Sequence, residues 1–410
     1  MFIADLHIHS KYSRATSKEM EMASLARWAK IKGISLLGTG DFTHPLWLAE
    51  LKDKLSGSGD GVYSYDGMSF MLTAEVSNIY FKAGRTRKVH NILIAHDFKV
   101  VEEINKALNE YGSLSSDGRP ILSLECEKMA RMLFAIDPSI LIIPAHAWTP
   151  HFSIFGSNSG FDAPEECFED QTPKILSLET GLSSDPAMNW RWSKLDRFCL
   201  ISNSDSHSPS KIGREANVFS GKIDYKELRQ ILKTKDKAKF LFTIEFFPEE
   251  GKYHWDGHRA CKTRLSPEES KRINNKCPEC GKSITIGVMH RLESLADRKE
   301  SYESKDGPSF KSVVPLAEII GEALDVGPDS VTVEKEYFQL IKNFGSEFKI
   351  LLDTPEDELK NGCPFRIFKG IMNMRKGNVE RLPGYDGEYG KINVFKEGEE
   401  KASEKQLSFF

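Results

Sequence analysis

From residue 2 to about residue 245, short apolar runs alternate with amphipathic stretches: FIADL, then EMASLARWAKIKG, then ISLLGTGD, and later MARMLFAI, LIIPAH, KILSLETG, WRWSKLDRF and LISNSDSH. Runs that are apolar throughout and separated by helical patterns predict a parallel sheet covered on both faces, as a barrel or an open sheet. The polar residues sit just after the apolar runs. In parallel α/β folds those carboxyl ends of strands converge on one face, where sites assemble.

The pattern breaks near residue 246, where FFPEEGKYHWDGHRACKTRLSPEESKRINNKCPECGKSITIGVMHR offers turns and paired metal-ligand types but little core. Beyond it, PLAEIIGEALD, EKEYFQLIKNFG and PEDELKNG predict amphipathic helices between residues 313 and 375. The chain therefore divides into an α/β domain (1–245), a small metal-stapled module (246–300), a mainly helical region (301–395) and a charged, flexible tail (396–410). No repeat of fixed period is present.

The chain has 410 residues, a size that suits two or three domains. It holds no apolar run near the roughly 20 residues a membrane span needs. The start, MFIADLHIHS, reaches polar residues at once, which predicts no secretory leader and a protein that stays in the cytoplasm. A net charge of −4 excludes a chain coated with phosphate-binding charge, so any nucleic-acid surface is local. Seven cysteines are too few for a disulfide framework, and Cys261, Cys277 and Cys280 cluster as metal ligands do.

Histidines stand beside carboxylates at the ends of the strand-like runs: His7 and His9 in DLHIHS, Asp41 and His44 in GTGDFTH, His146 in PAHAW, Asp205 and His207 in SDSH. Alternation along a strand puts His7 and His9 on one side, two residues apart, and Asp205 and His207 repeat that spacing. With Glu75 in LTAEVS and His90 in RKVHNILIA, nine N and O donors are available. That is enough for two or three divalent ions of the Zn, Mn, Fe or Mg kind. Packing does not account for so many buried polar groups. His96 and His254 are read as ordinary structural histidines.

DLHIHS, TGD, the lone Glu75, His90, PAH and SDSH, in this order, resemble the polymerase and histidinol phosphatase (PHP) superfamily. The resemblance implies a distorted (β/α)7 barrel with a metal centre at its C-terminal face. It implies one ion held by His7, His9, Glu75 and Asp205, with Glu75 bridging to a second held by His90 and His146. It further implies a third ion on Asp41 and His207. The family places His directly after that Asp, whereas here Phe42 stands there and His44 is the nearest substitute. His7, His9, Glu75, Asp205 and His207 would carry catalysis of phosphoester hydrolysis. No G-x-S-x-G elbow or Gly-rich P-loop suggests acyl transfer or nucleotide hydrolysis instead.

His258 and Cys261, then Cys277 and Cys280 in CPECG, read as H-x-x-C paired with C-x-x-C, the donor set of one structural zinc, with His254 as the alternative fourth ligand. Between Lys252 and Lys299, eleven Lys or Arg stand against six Asp or Glu, a local +5 in a chain that is −4 overall. That concentration suits a polyanion, or simply a solvated charged surface.

The whole arrangement, with KYHWDGHRAC, CPECGKSITIGVMHRLESLADR and the late GYDGEYGKI, resembles the endonuclease Q family, found mainly in archaea. The resemblance implies cleavage of a DNA strand 5′ to uracil, hypoxanthine, xanthine and abasic sites, with 301–395 as a DNA-binding region and the protein associated with the nucleoid. An enzyme of that kind needs side chains that hold an extruded base. Trp148, His151, Phe152 and Phe155, directly after His146, are the expected lesion-contacting loop, unless they pack the barrel rim. The tail Gln406, Leu407, Ser408, Phe409, Phe410 is similar to a sliding-clamp-binding peptide of compressed spacing. The rival function is a PHP phosphomonoesterase acting on a small metabolite such as histidinol phosphate.

Overall fold

The computed structural model describes residues 1–57 and 59–396. The proposed clamp peptide at Gln406 to Phe410 lies outside the described residues. Eleven strands build the α/β part: β1 (Phe2–Asp5), β2 (Leu36–Gly38), β3 (Tyr63–Tyr65), β4 (Met68–Lys82), β5 (Arg85–Ala95), β6 (Ile121–Leu122), β7 (Leu141–Pro144), β8 (Ser177–Glu179), β9 (Cys199–Ile201), β10 (Ala216–Phe219) and β11 (Phe240–Glu245). The main sheet runs β11-β10-β1-β2-β4-β5-β7. It curls, and the parallel pair β8 and β9 bridges its ends. On one side Ala147 N donates to Glu179 O, and on the other His9 N donates to Ser206 O, each at 2.9 Å. The result is a distorted α/β barrel.

The expected all-parallel sheet is corrected. Only β1, β2 and β4 run parallel within the main path, while β10 opposes β1 and β11, and β5 opposes both β4 and β7. The reason is local. Between β4 and β5 only Ala83 and Gly84 intervene, both at positive φ, and a two-residue turn of that kind closes a hairpin, whereas a crossover needs a dozen residues or more. Apolar composition cannot separate the cases, because all these strands are covered on both faces. Ala4, Leu36, Met71, Ile92 and Ile143 join helix Tyr225–Thr234 in one cluster. Their neighbours Ile3, Leu37, Phe70, Leu93 and Ile142 pack on the opposite side.

In the metal-stapled module, β12 (Asp256–His258) and β13 (Thr263–Leu265) pair antiparallel. Strand β14 (Ser309–Ser312) then adds to the barrel sheet in parallel beside β11, so the chain after residue 300 is strand before it is helix. Helices Leu316–Leu324, Val331–Phe344 and Phe365–Arg375 follow, with the hairpin β15 (Glu380–Leu382) and β16 (Lys391–Asn393). A buried ion pair, Lys32 Nζ to Glu347 Oε2 at 2.5 Å, ties this region to the barrel. Tyr337 OH (2.6 Å) and Leu316 N (3.0 Å) donate to the same carboxylate. Removing one member of such a pair costs about 3 to 5 kcal/mol. Among the described residues no helix is long and apolar enough to cross a membrane.

Candidate metal centre

The segments that follow β1, β7 and β9, together with the middles of the long strands β4 and β5, bring six of the expected ligands into two overlapping clusters that share Glu75. His7, His9, Glu75 and Asp205 place ligand atoms within 4.8 Å of one another, and so do Glu75, His90 and His146. Glu75 Oε2 faces His9 Nε2 at 3.2 Å and His7 Nε2 at 3.5 Å. Its Oε1 faces His90 Nδ1 at 2.8 Å and His146 Nε2 at 3.1 Å. Asp205 Oδ1 closes the first cluster, 3.0 Å from His9 Nε2 and 3.6 Å from His7 Nε2. His146 and Asp205 hold positive φ, a costly backbone for such residues that recurs at functional sites.

Carboxylates behind the imidazoles aim them. Glu179 accepts from His7 Nδ1 with both oxygens at 3.0 Å, and from His146 N and Asn203 Nδ2 at 2.9 Å each. Asp41 Oδ1 lies 3.0 Å from His9 Nδ1, and its Oδ2 accepts from Ser10 N, Ser10 Oγ and Ser13 Oγ at 2.6, 2.7 and 2.9 Å. Gly40 makes this approach feasible: a Cβ there would stand 2.4 Å from Ile8 O. Such partners fix ring orientation and tautomer at metal sites.

The electrostatics fit cations. Burial alone would strip protons from His7 and His9, yet Glu179 and Asp41, with Glu75 and Asp205 close by, outweigh it and hold both imidazoles well above 6.5. Burial opposes ionisation of Glu75 too, but His90, Arg119 and His7 hold it well below the usual carboxylate range. His90 goes the other way, pushed by burial to about 4. The protons on His7 and His9 stand where divalent ions would balance the same carboxylates, and His7 Nε2 is buried without a hydrogen-bond partner.

The donors expected for a third ion are not gathered. Among the described residues, no cluster of three ligand atoms includes Asp41, His44 or His207. Asp41 is consumed as the acceptor behind His9. His44 caps helix Pro45–Lys54 and stacks on Tyr12 at 4.4 Å. His207 lies against His9, ring to ring at 4.4 Å, with Nδ1 2.9 Å from Asp205 O.

The aromatic loop divides. Trp148 and Phe155, expected at the mouth, are 1% and 0% exposed and pack on Trp192; Trp148 Nε1 donates to Asn189 Oδ1 at 2.8 Å. Large rings flanking a strand end gain more by joining the core than by facing water. His151 is exposed, and Phe152, half-buried, lies 4.8 Å from the His90 ring. Sequence reading missed Glu179, present in plain view in SLETG, and Arg119, whose guanidinium is 27% exposed and donates to Glu75 Oε2 at 3.1 Å. Nothing in the loop around Arg119 marks it, because its partner lies 44 residues away.

A second cluster joins His258, Cys261, Cys277 and Cys280, with His258 Nδ1 3.4 Å from Cys280 Sγ. The Cys277 knuckle is closed by Cys277 N to Lys282 O at 2.7 Å and Gly281 N to Cys277 O at 2.8 Å. Burial opposes the Cys277 thiolate, but Thr263 and the N–H groups of Cys280 and Glu279 bring it down to about 6, ready for a metal. His254, the alternative ligand, is buried elsewhere with a pKa pushed by burial to about 4. Another missed residue, His290, holds the module together through Asp256 Oδ2 at 2.6 Å. Arg291 docks the module on the barrel, donating to Phe155 O at 3.0 Å and Phe161 O at 2.8 Å.

Between the barrel, the zinc-type module and the C-terminal region lies a cleft of roughly 940 Å³, with Asp205 and His207 in its wall beside Arg214, Lys252, Tyr253 and Tyr389. The volume is that of a site for a nucleotide-sized or larger group.

Comparison with known proteins places these features. The family model described as the MJ0043 C-terminal domain matches residues 315–378. The uncharacterized protein MJ0043 of Methanocaldococcus jannaschii is 34% identical over 255 residues, 60% of this chain; the match spans 31% of that relative's length. The uncharacterized protein YqxK of Bacillus subtilis is 30% identical over 95% of this chain and 98% of its own. The crystal structure of the lesion-specific endonuclease PfuEndoQ from Pyrococcus furiosus superposes with a TM-score of 0.85 at 34% identity, covering 96% of this chain and 95% of that one. Endonuclease Q in complex with a 27-mer duplex substrate, an abasic lesion at its active site, matches equally well, with the same TM-score and identity over 96% of this chain and 97% of that one. With 34% identity over 96% of this chain and at least 95% of each of those two structures, the chain belongs to the endonuclease Q family.

Proposed function

We propose that the protein is a metal-dependent DNA repair endonuclease that hydrolyses the phosphodiester 5′ to uracil, hypoxanthine, xanthine and abasic sites. The observation that carries this reading is Glu75, whose two oxygens each face a separate set of imidazoles, with Asp205 of the same centre in the wall of the cleft. Family membership supports it.

Two divalent ions, Zn, Mn or Mg, are assigned to the centre: one to His7, His9, Glu75 and Asp205, the other to Glu75, His90 and His146. One structural zinc is assigned to His258, Cys261, Cys277 and Cys280. When bound, paired ions lower the pKa of water to near neutrality and offset phosphate charge. The chain's own residues do the rest. Glu179 and Asp41 hold His7 and His9 in place. Arg119, partly open to solvent beside Glu75, offers its remaining N–H groups to a phosphate oxygen. His207, lining the cleft beside His9, is placed to exchange protons with the reacting groups. His151 and Phe152 keep their assignment to DNA; Trp148 and Phe155, buried against Trp192, do not. Residues 406–410 are proposed to dock on a sliding clamp, on the strength of their terminal aromatic pair.

The test is a pair of incubations, one with p-nitrophenyl phosphate and one with a labelled uracil-containing duplex. Strand incision with little nitrophenol release is expected. Rapid phosphomonoester hydrolysis with intact DNA would favour the small-metabolite reading instead.

A further inference from the structure

A row of rings and cations runs from the metal centre to the outer lip of the cleft. It starts at His90, against which the Phe152 ring lies at 4.8 Å, with Lys88 Nζ 5.2 Å from the centre of the Phe152 ring. His151, next in the chain, meets Tyr253 edge-on at 6.5 Å. Lys252 Nζ then sits between two rings, 5.9 Å from Tyr253 and 5.6 Å from Tyr389. Tyr389 ends the row and is 77% exposed.

A single exposed ring is common in folded proteins, so the weight here rests on the row it ends and on how it is held. Here the backbone fixes it in place. Gly387 N donates to Lys252 O at 2.8 Å, Gly390 N to Glu250 O at 3.0 Å and Gly384 N to Glu249 O at 2.8 Å. The chains approach so closely that a Cβ on Gly390 would stand 2.0 Å from Glu249 O. The turn that carries Tyr389 is therefore clamped to the segment that carries Lys252 and Tyr253. A rigid ring with a neighbouring ammonium group suits a nucleobase with its phosphate, since stacking accepts any base and the cation meets the backbone.

We propose that Phe152, His151, Tyr253, Lys252 and Tyr389 form a stacking track for the DNA strand beside the lesion, and that Tyr389 is the positioning residue on which an unstacked base lies. The inference rests on the endonuclease reading and adds to it where the flanking strand runs. The occupant is DNA because the row begins at a metal ligand and its far end lines the same cleft as Asp205 and His207.

Tyr389 is exposed, so its removal leaves the core intact. In the Asp205→Ala background, which holds uncleaved substrate, a duplex with one abasic site and a 2-aminopurine beside it reports binding by anisotropy and stacking by fluorescence. Tyr389→Ala is expected to weaken binding roughly 5- to 150-fold, the range for losing one stacked base, and to abolish the quenching seen with Tyr389 present. Tyr389→Phe restores both. In the otherwise native enzyme, Tyr389→Ala raises KM far more than it lowers kcat. Equal affinity and equal quenching with and without the ring would overturn the track while leaving the endonuclease reading intact. If the protein that retains Tyr389 does not bind the lesion duplex, both fall.

Discussion

The chain builds two four-ligand clusters in opposite ways. In the barrel, His7, His9 and Asp205 follow strand ends and Glu75 stands in the middle of β4; all but the half-buried Asp205 are buried. The imidazoles are held from behind by Glu179 and Asp41, carboxylates that themselves accept several hydrogen bonds. In the small module, His258, Cys261, Cys277 and Cys280 hang on turns and three-residue strands, with Cys280 exposed. The barrel core shapes its centre before any ion arrives. The module has little core of its own, so an ion held there would supply folding energy directly. A centre built by the fold can keep open positions for chemistry, whereas a centre that builds the fold spends its four donors on closure.

The contrast is breakable. The largest effect is expected from Asp205→Ala, which removes a barrel ligand and several kcal/mol of transition-state stabilisation, on the order of a thousand-fold in incision rate. Thermal unfolding should stay near the parent's, and rapid incision by the variant would sink the ligand assignment. Glu179→Gln tests the supporting layer: it keeps the shape of the side chain but loses the charge behind His7. Metal affinity or activity should fall about 10- to 100-fold, as read by metal titration. An unchanged titration would mean that Glu179 does not orient the ligand.

For the module, the paired change Cys277→Ser and Cys280→Ser should release one zinc per chain by elemental analysis. It should loosen 246–300 to proteolysis and weaken DNA binding on the order of ten-fold through lost phosphate contacts. Zinc content equal to the parent's would contradict the cluster. The smallest effect belongs to the tail. Deleting residues 406–410 should leave incision of naked lesion DNA unchanged while removing any stimulation by the cognate clamp, and a tail peptide that fails to bind the clamp in calorimetry would strike that partner.

How much of this was legible depended on whether the signal was local. DLHIHS carries its own geometry, because both of its donors reach one cluster just beyond a strand end, whereas in SDSH only Asp205 does. CPECG likewise folds on itself. Arg119 and Glu179 had no such signature: each matters only through a partner brought near by the sheet. Sheet direction was hidden because apolar strands read alike in either sense, although the two-residue turn at Ala83 and Gly84 held the answer. Asp41 lies behind His9, and spacing alone does not say whether such a carboxylate serves an ion or the imidazole in front of it. The rings after His146 failed for a similar reason, since sequence marks Trp148 and Phe152 as aromatic without saying which turns inward.

One gel decides the central claim that the buried barrel centre cuts DNA beside a lesion while the cysteine cluster only holds structure. A 5′-labelled strand with a single abasic site, in duplex, is exposed to saturating native protein, to Asp205→Ala and to the Cys277→Ser and Cys280→Ser double variant. The native and double-variant lanes should show one product ending 5′ to the lesion, and the Asp205→Ala lane none. An intact strand in the native lane, or cleavage that survives Asp205→Ala but vanishes with the cysteines, would contradict the account.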